Sequence, residues 1–278
     1  MEFAFENHPI AGHLLCLTDG CTEIKVALDY GIRVPWLSRK GMDNLYYMQP
    51  ADRSDGFVTD KGWNLYGGHR FWMTPESDLS YCPDNEPVSY ELTENGVILT
   101  QKEDPWLHVE KKLELRFEPD GRIHVLHTLK NLSGHTIETS LWGVNSLAPN
   151  GKARISFPGP ETDEWLPRRS VAVWKNASLG DSRIRFTVDA LLVDHGPCEE
   201  YFKMGLFSRD GTAVLENLGQ RFTLRFPAGQ PEDNSDLGCN FELFMHTAFM
   251  ELETLGRKCV LAPDESASHW EIWQIEAL

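Results

Sequence analysis

Glu253 is the residue whose type and setting point most directly to chemistry. It lies in Phe249-Met250-Glu251-Leu252-Glu253-Thr254-Leu255-Gly256, a run with the character of a β-strand. Alternation puts Met250, Leu252 and Thr254 on one face, and Phe249, Glu251, Glu253 and Leu255 on the other. A carboxylate buried on such a face is costly unless it is paired or used. A cation such as Arg70 or Lys203 would keep it ionised, whereas burial alone would raise its pKa. Arg33, Lys203, Glu242 and Glu253 all stand on otherwise apolar strands, and one reading brings them together on a single sheet face.

A second cluster is Gly67-Gly68-His69-Arg70-Phe71-Trp72-Met73-Thr74-Pro75-Glu76, followed by Tyr81-Cys82-Pro83-Asp84-Asn85-Glu86-Pro87-Val88. Planar polar groups meet hydroxyls in pairs, and an aromatic face meets the C–H face of a sugar ring. The mix therefore suits a carbohydrate, with Arg70, Trp72, Glu76, Asp84 and Asn85 as binding candidates. Among the histidines, His69, read as part of a pocket loop, is the best placed for chemistry; His195 and His246 are weaker. His124 and His127, three apart in a strand, face opposite ways and cannot chelate one ion. No cysteine, histidine or carboxylate spacing demands a metal, and no phosphate-binding glycine loop is present, so neither metal nor cofactor is expected.

These residues need strands to hold them. Apolar runs punctuated by Gly, Pro, Asn and Asp recur along the chain, and no helical period stands out. Strands are expected at 23–28, 32–37, 96–100, 107–117, 122–129, 136–142, 183–193, 202–207, 212–216, 221–226, 239–245, 247–255, 257–262 and 268–275. Glu118-Pro119-Asp120-Gly121 predicts a hairpin turn, and 207–212 reads as another. The class is all-β, a sandwich or barrel, in one domain spanning 1–278. The loops at 49–62 and 227–238 are long enough to form functional rims.

A net charge of −16 argues against nucleic acid and anionic membranes as partners. No apolar run reaches membrane-spanning length, and the N-terminal residues have no basic-then-apolar pattern. The scattered cysteines read as reduced thiols. A cytoplasmic protein is expected, with no reading of its oligomeric state.

Several strings, collinear over about residues 20–275, resemble the galactose mutarotase-like (aldose 1-epimerase-like) superfamily, in its DUF4380-type branch. They are Asp29-Tyr30-Gly31-Ile32-Arg33-Val34 with Gly41-Met42-Asp43-Asn44-Leu45-Tyr46, the Gly67–Glu76 and Tyr81–Val88 strings, Lys203-Met204-Gly205-Leu206-Phe207, Phe241-Glu242-Leu243-Phe244, Glu251-Leu252-Glu253-Thr254-Leu255-Gly256 with its Leu-Glu-Thr motif, and Leu261-Ala262-Pro263-Asp264-Glu265-Ser266. The resemblance implies a β-supersandwich of largely antiparallel sheets with a sugar or sugar derivative on its concave face. It implies Glu253 as base in a sugar epimerase or mutarotase, with His69 or water as acid. Arg33 and Arg70 would orient hydroxyls or an acidic substituent, and Trp72 or Trp142 would stack on the ring. Lys203, Glu242 and Asn145 complete the binding set. Where the family pattern has its acid histidine, in the stretch Ser140–Leu147, this chain has Trp142. A tryptophan N–H donates a hydrogen bond but no proton at neutral pH. A non-catalytic sugar-binding or sensor domain is therefore the first alternative, and a polysaccharide lyase or hydrolase relative the second.

Overall fold

The computed structural model describes residues 1–54, 56–159, 165 and 169–278. Among them, helix is confined to two 3-10 turns, Pro231–Asp233 and Asp236–Gly238, and none is long and apolar enough to cross a membrane. The chain is an all-β sandwich of antiparallel sheets. A seven-stranded front sheet runs, edge to edge, Val171–Val173, Phe202–Leu206, Phe241–His246, Phe249–Leu255, Leu141–Leu147, Gly68–Met73 and Arg33–Val34. A ten-stranded back sheet has Gln220–Arg225, Ser266–Ala277, Ile123–Asn131 and Val109–Phe117 at its middle. A four-stranded sheet formed by Glu2–His8, Gly12–Thr18, Thr22–Ala27 and Trp36–Arg39 packs into the same apolar core.

The back sheet shows the alternation plainly. In Val109–Phe117, every odd-numbered residue is buried and the even ones are more exposed. Phe249–Leu255 and Leu141–Leu147 are instead buried throughout, so both faces of the front sheet are covered. The inward face joins Met250, Leu252, Leu141 and Leu147 to the main core. The outward face carries Trp72, Trp142, Val144, Phe249 and Leu255 under a roof made by Phe57, Trp63 and Leu65. Phe57 meets Phe249 edge-on at 5.1 Å, and Trp63 lies 5.7 Å from Trp72. The segment 57–65, which begins in the expected loop, is thus a cover over the front sheet.

The strand expectations need several corrections. The 32–37 run splits at Pro35, giving Arg33–Val34 to the front sheet and Trp36–Arg39 to the four-stranded one. The 183–193 run is two paired strands, Ile184–Phe186 and Ala190–Asp194. The 207–212 segment is no hairpin: it carries the chain from Phe202–Leu206 in the front sheet to Thr212–Asn217 in the back sheet. The turn at 118–121 forms as expected, closed by Gly121 N–H to the Glu118 carbonyl at 3.0 Å. Gly68–Met73, read as part of a loop, is a strand paired on both sides in the front sheet. Gly67 and Gly68 lead into it at positive φ, and a Cβ on either would stand 2.2 or 2.3 Å from the carbonyl oxygens of Tyr47 or Val34.

Between the sheets the core contains a polar layer. Tyr46, His69, Asn145 and Thr254 face His127, His269, Glu271 and Trp273. Gly143 makes room for it, since a Cβ there would lie 2.4 Å from Glu271 Oε1 and 3.1 Å from Thr254 Oγ1. Gly143→Ala is therefore expected to destabilise the fold by roughly 1–3 kcal/mol through overpacking. Urea unfolding should show a lower midpoint at unchanged slope; an unchanged midpoint would refute this role for Gly143.

Candidate functional site

Register across the front sheet decides which side chains share a face. Directly opposed residues form the row Gly205, Glu242, Glu253, Val144, Arg70, Arg33. A neighbouring row is Lys203, Phe244, Glu251, Ser146, Gly68. On the other side lies Leu255, Trp142, Trp72. All three rows point outward, beneath the Trp63 cover.

The outward face is therefore an ionic cluster in an aromatic frame. Glu253, 1% exposed, accepts through Oε2 from Trp142 Nε1 at 2.9 Å and Lys203 Nζ at 3.3 Å. The ammonium also lies 2.8 Å from Glu242 Oε2 and 3.8 Å from Glu76 Oε2. The Glu242 contact is an ion pair whose angles fall outside hydrogen-bond geometry, so neither Glu242 oxygen has a hydrogen bond among the described residues. Glu76 in turn accepts from the Tyr81 hydroxyl. On the other side of Val144, Arg70 Nη1 donates to Glu251 Oε1 at 2.8 Å and to Ser146 Oγ at 3.1 Å.

Lys203 and Arg70 are the cations of this cluster; Glu76, Glu242, Glu251 and Glu253 are its carboxylates. Burial pushes both Glu242 and Glu253 above the ordinary carboxylate value, and the Lys203 charge opposes the rise. Burial acts first on Lys203 too, but the three glutamates around it outweigh that and raise its pKa, so it stays charged. The physical result is a pair of facing carboxyls that share one ammonium and hold a proton more tightly than free glutamates do.

Several expected site residues take other places. His69 and Asn145 sit on the inward face, in register with each other and one residue out of phase with Arg70 and Val144. Strand alternation separates them from Glu253, so His69 is not its acid partner and Asn145 is not a ligand group at this face. Burial pushes the His69 imidazole well below its ordinary value. Asp84 pairs with Arg33 at 2.8 Å, and Asn85 bonds Tyr66 Oη and the Gly62 carbonyl, both at 3.0 Å. These contacts tie the cover to the edge strand. Trp72 and Trp142 present no open face: Arg70 lies 4.3 Å over one ring and Lys203 4.5 Å over the other.

Sequence reasoning missed Glu251, Trp63 and Trp174, the last 5.2 Å from Lys203 Nζ. Glu251 could have been found, since it shares the Glu253 face. His195 is structural, its Nε2 2.8 and 3.0 Å from the carbonyl oxygens of His246 and Phe249. A groove of about 620 Å³ opens beside the 227–238 loop, lined by Thr74, Glu138, Ser235 and Lys258 among others, but no residue of the ionic cluster reaches it.

The raised carboxyls set a pH dependence. The folded state holds their protons above pH 4.5, the ordinary value, where the unfolded chain releases them. Their contribution to stability is therefore greatest below that value and falls as pH rises, until the folded carboxyls have also ionised. Glu242→Gln imitates the protonated form. Thermal unfolding from pH 5 to pH 9 should show the variant gaining on the wild type as pH rises; a constant difference would contradict the shared proton.

No family model matches this chain, and no curated protein matches it. Solved structures do. A putative aldose 1-epimerase from Klebsiella pneumoniae subsp. pneumoniae superposes with a TM-score of 0.62 at 11% identity, over 99% of this chain and 84% of the other. A galactose mutarotase-like protein from Clostridium acetobutylicum gives 0.59 at 13%, over 100% and 99%. A TPR-domain containing protein from Parabacteroides distasonis gives 0.61 at 13%; there the match covers 95% of this chain but only 47% of the longer one. At such identities the likeness concerns the fold. The chain has the galactose mutarotase-like β-sandwich fold.

Proposed function

We propose that the outward face of the front sheet binds a small carbohydrate and that Glu253 accepts the proton of its anomeric hydroxyl. The observation that carries this is a set of buried polar atoms without hydrogen-bond partners among the described residues. Trp63 Nε1 and Arg70 Nε are donors, Glu253 Oε1 is an acceptor, and the Glu242 carboxyl is both when it holds a proton. Buried polar atoms are normally paired. Sugar hydroxyls, each donor and acceptor at once, answer such a mixed set.

In this reading Glu253 Oε1 removes the proton of the anomeric hydroxyl as the bond from the anomeric carbon to the ring oxygen breaks. The ring oxygen takes from Glu242 the proton that burial makes the Glu242–Glu253 pair hold. Rotation of the open aldehyde and the reverse transfers give the other anomer and restore both carboxyls. Glu242 thus stands in for the histidine that the chain lacks at Trp142. Lys203 limits the charge that builds up as the proton moves between the two carboxyls. Glu76, the most open member of the cluster, marks the side from which a ligand arrives, and the Trp63 cover must shift to admit it.

A binding-only sensor is the second reading. It is favoured by the way Trp142 and Lys203 already engage Glu253 Oε2.

Exchange NMR on a panel of aldoses, uronic acids and sugar phosphates tests both. Accelerated anomer exchange should fall by roughly 10²-fold or more in Glu253→Gln. Binding without acceleration would sustain the sensor reading; neither binding nor acceleration would overturn the proposal.

A further inference from the structure

The polar layer between the sheets contains a conflict that points to a second ligand, independent of the sugar reading. His69 Nε2 and His127 Nε2 lie 2.8 Å apart, both residues fully buried. Their tautomers follow from their other partners. His127 Nδ1 is 3.1 Å from the His269 carbonyl oxygen, which can only accept, so Nδ1 carries the hydrogen. His69 Nδ1 is 3.1 Å from Asn145 Oδ1. That amide is oriented by two further bonds: Tyr46 Oη donates to Oδ1 at 2.8 Å, and Nδ2 donates to the Leu252 carbonyl at 3.2 Å. His69 Nδ1 therefore also carries its hydrogen. In the neutral rings both Nε2 atoms are then lone pairs, aimed at each other.

Two facing lone pairs at that distance need a cation between them. Glu271 supplies opposite charge: one of its oxygens and a ring nitrogen of each histidine all lie within 4.8 Å of one another. A proton alone would make an imidazolium in the core, which burial disfavours. Two imidazole nitrogens and a carboxylate oxygen form a donor set typical of a borderline divalent ion such as zinc. At zinc–nitrogen bonds of about 2.0–2.1 Å, tetrahedral nitrogens stand about 3.3–3.4 Å apart, so the two rings need to part by about half an ångström. Each donor already has outer support: Asn145 for His69, the His269 carbonyl for His127, and Thr254 Oγ1 with Trp273 Nε1 for Glu271.

We propose that His69, His127 and Glu271 bind a divalent transition metal of the zinc class. His69 comes from the front sheet, and His127 and Glu271 from two adjacent strands of the back sheet. The ion would clip the two layers of the sandwich together. It stands on the far side of the front sheet from Glu253, so it takes no part in the proton transfers there.

The test uses the full chain, unfolded and refolded with Zn²⁺ or Co²⁺, then desalted for elemental analysis. About one equivalent per chain should remain, and the cobalt form should show the strong visible bands of a tetrahedral site. His127→Gln and Glu271→Gln should each lose the metal. In the zinc-loaded wild type, the ¹⁵N shifts of Nε2 in His69 and His127 should move away from their values in the metal-free chain. This last reading holds even if a variant fails to fold. Metal-free protein after refolding in excess Zn²⁺, unmoved Nε2 shifts, or an equivalent retained in both variants would overturn the proposal. A hydrogen seen on either Nε2 would show that a shared proton resolves the conflict instead.

Discussion

The outward face depends on one ammonium. Lys203 reaches Glu76, Glu242 and Glu253 together, from an edge-side strand to the centre of the front sheet. A buried charge without a counter-charge is among the most destabilising features a fold can contain. The cluster survives because the lysine neutralises part of it and a proton neutralises more. The same shortage of cations that makes the face costly makes its carboxyls basic, and structural expense and chemical readiness thus have one origin. The aromatic frame adds to both. Trp63, Trp72 and Trp142 exclude water from the charges, which strengthens each remaining contact.

The sheet also separates two kinds of polar assembly by its own thickness. Outward, the groups are ionic and several polar atoms have no hydrogen-bond partner among the described residues. Inward, Tyr46, His69, Asn145, Thr254 and Glu271 are mutually bonded and lie among leucines, valines and phenylalanines. Buried networks of that kind are specific about geometry, because a half-satisfied one costs more than an apolar replacement. Gly143 is the backbone's accommodation to it, and the close approach it permits lets Glu271 of the back sheet bond Thr254 of the front.

Much of this was legible in the sequence, and the failures have definite causes. The faces of 249–255 follow from alternation alone, and Glu253 was identifiable because an acid amid apolar neighbours is conspicuous. His69 was misplaced because Gly67-Gly68, aromatics and charges look like a loop when both faces of a strand are buried and no apolar–polar rhythm survives. Glu271, in Trp270-Glu271-Ile272-Trp273, resembles a solvated strand charge; only its cross-strand partner Val125 and the packing of the second sheet reveal that it points inward. The cover was recognisable as a long loop, but where Trp63 would land depends on contacts distant in sequence.

Both assemblies draw on the single strand Phe249–Leu255, with Glu251 and Glu253 on one side and Thr254 on the other. Adding or deleting one residue there would exchange the faces, pushing two acids into the apolar core and apolar side chains out to the charges. This strand can therefore diverge among descendants only by substitution at fixed length. Indels would be confined to the loops around it, and an engineer grafting the site elsewhere would have to carry the register intact.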